Sequence, residues 1–352
     1  MQKLMRKAFL MLTIFFGSTA FYGQTTPTAD LNDLINDAVY FTDRYITPMT
    51  DAAVYQASSN WMVSTKLRKL GQVTGGVYFN TFFVPNRDRT FNLSNTEMRN
   101  LQIKDAGLTP MVMQSALGSD QQTTLEGRID LGIDFGGVQA FTLDTPQGVG
   151  QETITYPYAM ASVGLWKGFE VSGKFSAHVQ LVHGDYQVWG AGLKHNLGQY
   201  FKTTNPKNRL DSAVMFSYCN EVVSFDLFKS TNSLAQSLLS GIERLQGVVS
   251  TYQLQWNFSK NWNKFEFMGG IIGNYSDFEY KVMGSDNSMI TTTDGETLNT
   301  KLNNRFKTIA KSKYNLIGEV SCRYHIYKYL YAQSAFAFGK FTNLTAAVQV
   351  EF

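Results

Sequence analysis

The sequence predicts an all-β fold: a transmembrane antiparallel β-barrel behind a short N-terminal helical plug. Three observations predict it. Long runs of residues alternate between apolar and polar, an export signal opens the chain, and the last ten residues alternate up to a terminal Phe352. The alternation is clear at Val171, Phe175, Ala177, Val179 and Leu181, which oppose Glu170, Ser172, Lys174, Ser176, His178 and Gln180. It recurs where Tyr252, Leu254, Trp256 and Phe258 oppose Gln253, Gln255 and Asn257, and where Tyr314, Leu316, Val320, Cys322, Tyr324 and Ile326 oppose Asn315, Glu319, Ser321, Arg323 and His325. Strands in soluble proteins average about 5–6 residues, whereas a strand crossing a bilayer needs roughly 9–11, with one face for lipid and the other for the lumen. These runs have the longer length.

Taken in order, Lys3, Arg6 and Lys7 precede the apolar run Ala8 to Ala20, the form of a secretory signal, with cleavage after residue 20 or 23. No cysteine lies near either point, which disfavours a lipoprotein anchor. Residues 24–58 read as the plug. Within it Leu31, Leu34, Ile35, Ala38, Phe41 and Tyr45 recur at helical spacing. Pro48 is expected to end or bend that helix, with a second turn over Thr50 to Ala57. Residues 59–352 read as the barrel.

The strongest strand pattern is Leu125 to Phe135, where Leu125, Gly127, Ile129, Leu131, Ile133 and Phe135 oppose Glu126, Arg128, Asp130 and Asp134. Further strands are expected at Trp61–Leu67, Gln72–Val84, Thr153–Leu165, Tyr186–Leu197, Leu210–Tyr218, Phe265–Tyr275, Leu330–Phe338 and Leu344–Phe352, with weaker ones around Phe91, Val138 and Val223. The total is 12 to 16, and 14 is preferred because such barrels close with an even number. Two interruptions read as long loops. Ser230 to Gln246 carries a helical stripe of Leu234, Leu238, Leu239, Ile242 and Leu245, and Gly284 to Asn304 is rich in Ser, Thr, Asp and Asn.

The last strand alternates Leu344, Ala346, Val348, Val350 and Phe352 with Thr345, Ala347, Gln349 and Glu351. It resembles the C-terminal signal read by the barrel-assembly machinery of Gram-negative outer membranes, which implies that machinery as a partner during biogenesis and outer-membrane lipid thereafter. The segment YITPMTDAAVYQASSNWM, Tyr45 to Met62, resembles the entrance to long-chain fatty-acid transporter barrels, whose N-terminal plug fills the lumen. Tyr156 to Phe175 and Tyr186 to Phe201, with Gly164-Leu165 and Gly192-Leu193-Lys194-His195 as landmarks, resemble more closely a poorly characterised barrel family of Bacteroidota. The chain departs from the characterised transporters in having no clear Asn-Pro-Ala after the plug.

Composition excludes several functions. Thirty-one basic residues face 28 acidic ones, and the export signal holds three of the basic ones, so no basic nucleic-acid footprint is expected. Four His and two Cys without ligand spacing give no metal site, and no glycine-rich strand-to-helix loop marks a phosphate or cofactor site. Cys219 and Cys322 read as small apolar residues on separate strands, with one disulfide as the alternative. His178, His183 and His195 lack an identifiable nucleophile partner, so no enzyme is expected.

Two functions remain. In the first, the barrel takes up a small polar or hydrophobic solute passively, through a lumen lined by Glu126, Arg128, Asp130, Asp134, Glu170, Lys174, His178, Glu319, Arg323 and His325. The plug residues Leu31, Leu34, Ile35, Ala38 and Phe41 then line a pocket or pack on the wall. In the second, the barrel conducts nothing and holds a surface or secretion partner.

Overall fold

The computed structural model describes residues 29–132, 136–181, 184–201, 210–226, 236, 242, 244–284 and 296–352. The expected export signal lies outside them, as do Asp134, His183 and nearly all of the expected Ser230 to Gln246 loop up to residue 243; its last three residues are corrected from loop to strand, Leu245 among them.

Helix α1 (Leu31–Ser58) is followed by an irregular stretch, residues 59–72, and by strand β1 (Val73–Phe83). Five short strands come next: β2 (Thr90–Leu93), β3 (Gln102–Ile103), β4 (Met111–Gln114), β5 (Thr124–Asp130) and β6 (Val138–Asp144). Then follow β7 (Thr153–Gly164), β8 (Phe169–Leu181), β9 (Gly184–Asn196), β10 (Leu210–Asp226), β11 (Arg244–Trp262) and β12 (Phe265–Met283). Helix α2 (Leu298–Phe306), β13 (Lys311–Tyr327), β14 (Leu330–Phe338) and β15 (Thr342–Glu351) complete the chain.

Ten of these strands, β1 and β7–β15, close an antiparallel barrel in which each pairs with its neighbour in sequence and β1 pairs with both β7 and β15. The expected 14 strands are thus corrected to ten. Trp61 to Leu67 forms no strand, Val223 belongs to β10, and the segments around Phe91, Leu125 and Val138 pair among themselves outside the barrel, as sheets β2–β4 and β3–β5–β6. Alternation shows that one face of a strand is buried. It does not show which sheet the strand joins.

The outer face of the barrel is apolar. Leu254, Trp256 and Phe258 on β11, Phe267 and Ile271 on β12, and Leu316 and Val320 on β13 all point outward and are exposed. Aromatic residues bound this face on each strand. Tyr218, Tyr252, Tyr275 and Tyr314 pair directly across β10–β13, and Trp262, Phe265 and Tyr324 stand ten residues further along their strands. Ten residues of a strand tilted by about 40° rise roughly 25 Å, the height of the apolar band of a membrane barrel. Beyond the tyrosine row the outward residues turn polar, with Asp277, Glu279, Lys281 and Arg244.

The two ends of the barrel differ. Residues 165–168, 263–264 and 328–329 are short turns at one end, and the 84–152 excursion and the 284–310 connection leave from the other. At that loop-side end β10–β13 run on past the tyrosines. Their inner residues Val223, Phe225, Leu245, Val249, Phe278, Tyr280 and Val282 bury against α1, α2 and the excursion. Leu101, Leu125, Ile129 and Phe141 extend this core through the small sheets. The result is an ordered cap. Part of the expected Gly284 to Asn304 loop is helix α2, whose Leu298, Leu302 and Phe306 are buried in it.

Candidate functional site: the lumen and its plug

Helix α1 begins in the cap, where the Asp30 side chain caps it by accepting the Asn32 N–H, and it runs down into the lumen as far as Ser58. It continues through Pro48, where a break or bend was expected, and every residue from Met49 to Ser58 is buried. Proline removes one backbone donor and crowds the preceding turn. A helix gripped on all sides tolerates that, and Thr50 Oγ1 returns a hydrogen bond of 3.1 Å to the Thr47 carbonyl.

A ten-stranded barrel with this spacing is about 20 Å across its backbone, and a helix with side chains fills roughly 10–12 Å. One layer of side chains fills the gap. Small wall residues make the fit: a Cβ on Gly190 would stand 3.0 Å from the Trp61 ring, and one on Gly247 would stand 3.0 Å from Thr50 Cγ2.

The C-terminal carbonyls of a helix lack partners within it. Here the barrel wall supplies them. Tyr55 O accepts from Asn343 Nδ2 at 2.8 Å, Gln56 O from Tyr156 Oη at 3.2 Å, and Ala57 O from Lys174 Nζ at 3.1 Å, with Trp61 Nε1 of the chain just beyond the helix adding a second bond to Ala57 O at 2.7 Å. Lys174 Nζ also donates to Ser59 O at 2.9 Å and lies 4.6 Å above the Tyr158 ring. A cation in this position is favoured by the helix dipole as well.

Below Ser58 the chain becomes a strap that the wall continues to bind. Asn60 N–H donates to Glu319 Oε2 at 2.6 Å, Gln255 Nε2 to Glu319 Oε1 at 3.0 Å, and Ser64 Oγ to Glu266 Oε1 at 2.7 Å. Lys194 Nζ donates to Ser64 O at 2.9 Å, and Asn196 Nδ2 to Thr65 O. Arg68 ends the strap in a buried ion network, 2.9 Å from Glu170 and 3.1 Å from Glu351, which Lys194 and Arg323 join at 2.5 and 2.6 Å.

Loop-side contacts hold the top of the helix. Asp51 pairs with Lys313 at 2.5 Å and Lys340 at 2.6 Å, and Asp43 pairs with Lys311 at 2.6 Å. In the cap, the Asp37 carboxylate accepts the backbone N–H groups of Arg99, Asn100 and Leu101. Burial raises its pKa against the pull of those donors. Glu97 is shifted down, chiefly by the Ser94 N–H and then by the Tyr40 hydroxyl.

Of the residues expected to line the lumen, Glu170, Lys174, Glu319 and Arg323 do so, and all four are buried against the plug or its ion network. Glu126, Arg128 and Asp130 are corrected: they are on β5, exposed on the outer face of the cap sheet, because the apolar side of that strand packs on the cap core instead of facing lipid. His178 points outward, since a register shift between Ser176 and Val179 breaks the alternation of β8. His325 sits at the turn-side end, its ring stacked 4.7 Å from Tyr331 and Nε2 2.8 Å from Lys328 O. His195 faces outward against Phe169.

Among the plug residues, Ile35 and Phe41 are buried, while Leu31, Leu34 and Ala38 are half-buried in the cap rather than set deep in the barrel. Cys219 and Cys322 are both free. Sequence reasoning missed Arg68, Lys194, Glu266 and Glu351. Lys194 lay within a noted landmark and Glu351 on the polar face of the last strand, but the run holding Arg68 carried no pattern.

The whole chain, residues 1–352, matches the model of a family described as a family of unknown function, DUF6588. The protein belongs to that family. No curated protein matches this DUF6588 chain. Among solved structures it is similar to the translocator domain of the autotransporter NalP from Neisseria meningitidis, at 10% identity over 90% of this chain and 97% of that one, with a TM-score of 0.32. The beta domain of the Bordetella autotransporter BrkA is 9% identical over 79% and 100%, with a TM-score of 0.32. Ail, the attachment invasion locus protein of Yersinia pestis, is 8% identical over 81% and 100%, with a TM-score of 0.18. Similarities this shallow carry no information on what the DUF6588 chain binds.

Proposed function

We propose that this DUF6588 protein is a Gram-negative outer-membrane barrel, sealed by its own N-terminal segment, that works through the cap it holds at the cell surface as a non-transporting, partner-binding barrel. One observation carries the reading. From Tyr55 to Arg68 the plug is bonded by wall side chains contributed by β8, β9, β11, β12, β13 and β15, so the polar groups a solute would use are already spent on the plug. Lipid covers the apolar band, and the assembly machinery reads β15. Long loops face the cell exterior in barrels of this kind, which puts the cap outside and the short turns in the periplasm.

A second reading is passive uptake of a small solute, a hydrophobic one if the resemblance to fatty-acid transporters extends to cargo. The chemistry of the strap favours it. Below Ser58 the plug is held largely by hydrogen bonds and ion pairs to Lys194, Glu266, Glu319 and Glu351, so its release would leave a hydrophilic vestibule.

The surface reading is tested by thiol labelling in a chain carrying Cys219→Ala and Cys322→Ala. Val112→Cys in the cap is expected to react with a membrane-impermeant maleimide on intact cells. Lys264→Cys in a short turn is expected to react only after the outer membrane is opened. The reverse pattern would put the cap in the periplasm and end this reading.

A further inference from the structure

The exposed side-chain charge at the turn-side end of the barrel is of one sign. Lys66 and Lys69 of the strap, Lys167 in the first short turn, Lys260 and Lys264 around the second, and Lys328 in the third are exposed or half-exposed there. Among the described residues, the side-chain carboxylates of this end are Glu170, Asp211, Glu266 and Glu351. The first three are buried, and Glu351 is held by Arg68 and Arg323. Residues 202–209, outside the described ones, hold no acidic residue in the sequence. Of the six lysines, Lys66 alone pairs with a carboxylate among the described residues, at 3.3 Å from Glu266. The loop-side end differs. Beyond its tyrosine row the outward residues carry both signs, with Glu279 beside Lys281 and Asp185 paired with Arg244.

Four of the lysines stand among exposed rings. Lys260 points outward between Phe258 and Trp262 on β11, and Lys264 lies in the turn between Trp262 and Phe265. Lys167 follows Trp166, and Lys328 lies between Tyr327 and Tyr329 with its Nζ 5.2 Å from the Tyr327 ring. Trp166, Trp262 and Tyr327 are 64–67% exposed. Trp and Tyr concentrate where hydrocarbon meets headgroups, and a lysine there lays its stem on apolar surface while its ammonium reaches outward.

Cations gathered without acids attract anionic lipid, through an interaction that salt weakens. An acidic partner in the aqueous phase would meet the ammonium groups but would leave the rings beside them in water. Phosphate headgroups with acyl chains beneath them satisfy both. We propose that the turn-side end is a docking surface for anionic phospholipid, whose phosphates are bound by Lys167, Lys260, Lys264 and Lys328 in the periplasmic leaflet. This binding requires a barrel that spans the bilayer, as proposed above, and only the choice of leaflet depends on its orientation.

Electron spin resonance of spin-labelled lipids tests it, with the intact protein reconstituted in phosphatidylcholine vesicles at low salt. Lipid held at the protein surface gives a motionally restricted spectrum. Spin-labelled phosphatidylglycerol is expected to associate several-fold more strongly than spin-labelled phosphatidylcholine, and the preference is expected to fade in high salt. Lys167→Gln, Lys260→Gln, Lys264→Gln and Lys328→Gln combined are expected to bring the two lipids level, with folding checked by heat-modifiable mobility. Lys281→Gln, at the other end, is expected to leave the preference intact. Equal association of both lipids with the intact protein, or a preference that survives the four substitutions or is lost in Lys281→Gln, would overturn the lipid site while leaving the barrel in the membrane. Equal association, with sedimentation on peptidoglycan sacculi that the four substitutions abolish, would overturn it in favour of the cell wall. No motionally restricted lipid at all would overturn the membrane barrel and the lipid site together.

Discussion

Lys174 shows how one residue ties barrel and plug together. Its ammonium replaces the missing cap at the end of α1, donating to Ala57 O and Ser59 O. Hydrogen bonds to a charged group contribute about 1.5–3 kcal/mol, so Lys174→Met is expected to destabilise the protein by that order, read as a lower midpoint of unfolding in detergent. An unchanged midpoint would mean the plug end is held elsewhere. The polar face of β8 made Lys174 and Glu170 legible in the sequence, as period two did for Glu319 and Arg323. His178 was misread because a bulge shifts the phase, and a bulge leaves no mark in apolar and polar spacing.

At the cap, the downward shift of Glu97 gives a pH dependence with a definite sign. A depressed folded pKa contributes stability that is present above the unfolded value, near 4.5, and is lost as pH falls through the lower folded value. Hydrogen-exchange protection over residues 94–101, taken relative to the intrinsic rate at each pH, is expected to fall below about pH 4.5 in the native protein. In Glu97→Gln the acid-dependent part of that change should shrink, and an identical profile in both would rule out Glu97 as its source.

Among the elements, α1 departs most from expectation. Pro48 and the spacing of Leu31 to Tyr45 described two short helices, whereas the chain forms one helix of 28 residues. Local propensity argues for a break there, but burial of Met49 to Ser58 on every side overrides it. The strap is the opposite case. Trp61 to Leu67 carries enough apolar residues to imitate a strand, yet its backbone is bonded by side chains and not by a neighbouring strand. The β5 pattern was legible as a strand with one buried face, but its place in the cap was not, since only tertiary pairing decides which sheet a strand joins. Because Arg128 sits on that strand, Arg128→Ala in a chain lacking Leu31 to Ser58 is expected to leave ion flux unchanged, which a flux assay beside Arg323→Ala in the same shortened chain would check. A loss of flux confined to Arg128→Ala would return β5 to the conduction path.

At the scale of the molecule, the barrel architecture was legible because lipid and lumen impose opposite demands on alternate residues, and ten strands satisfy both. Their number was not, because the cap sheets obey the same alternation around a dry core of their own. The N-terminal segment is threaded through the lumen from the loop-side end to the turn-side end, with polar groups bonded to the wall. Under the proposed function that segment seals the barrel. Planar-bilayer recordings of the intact protein and of a chain lacking Leu31 to Ser58 test it most directly, with insertion of both verified by heat-modifiable mobility. The intact protein is expected to give no steady conductance and the shortened one stable channels. Equal, open conductance from both would contradict it.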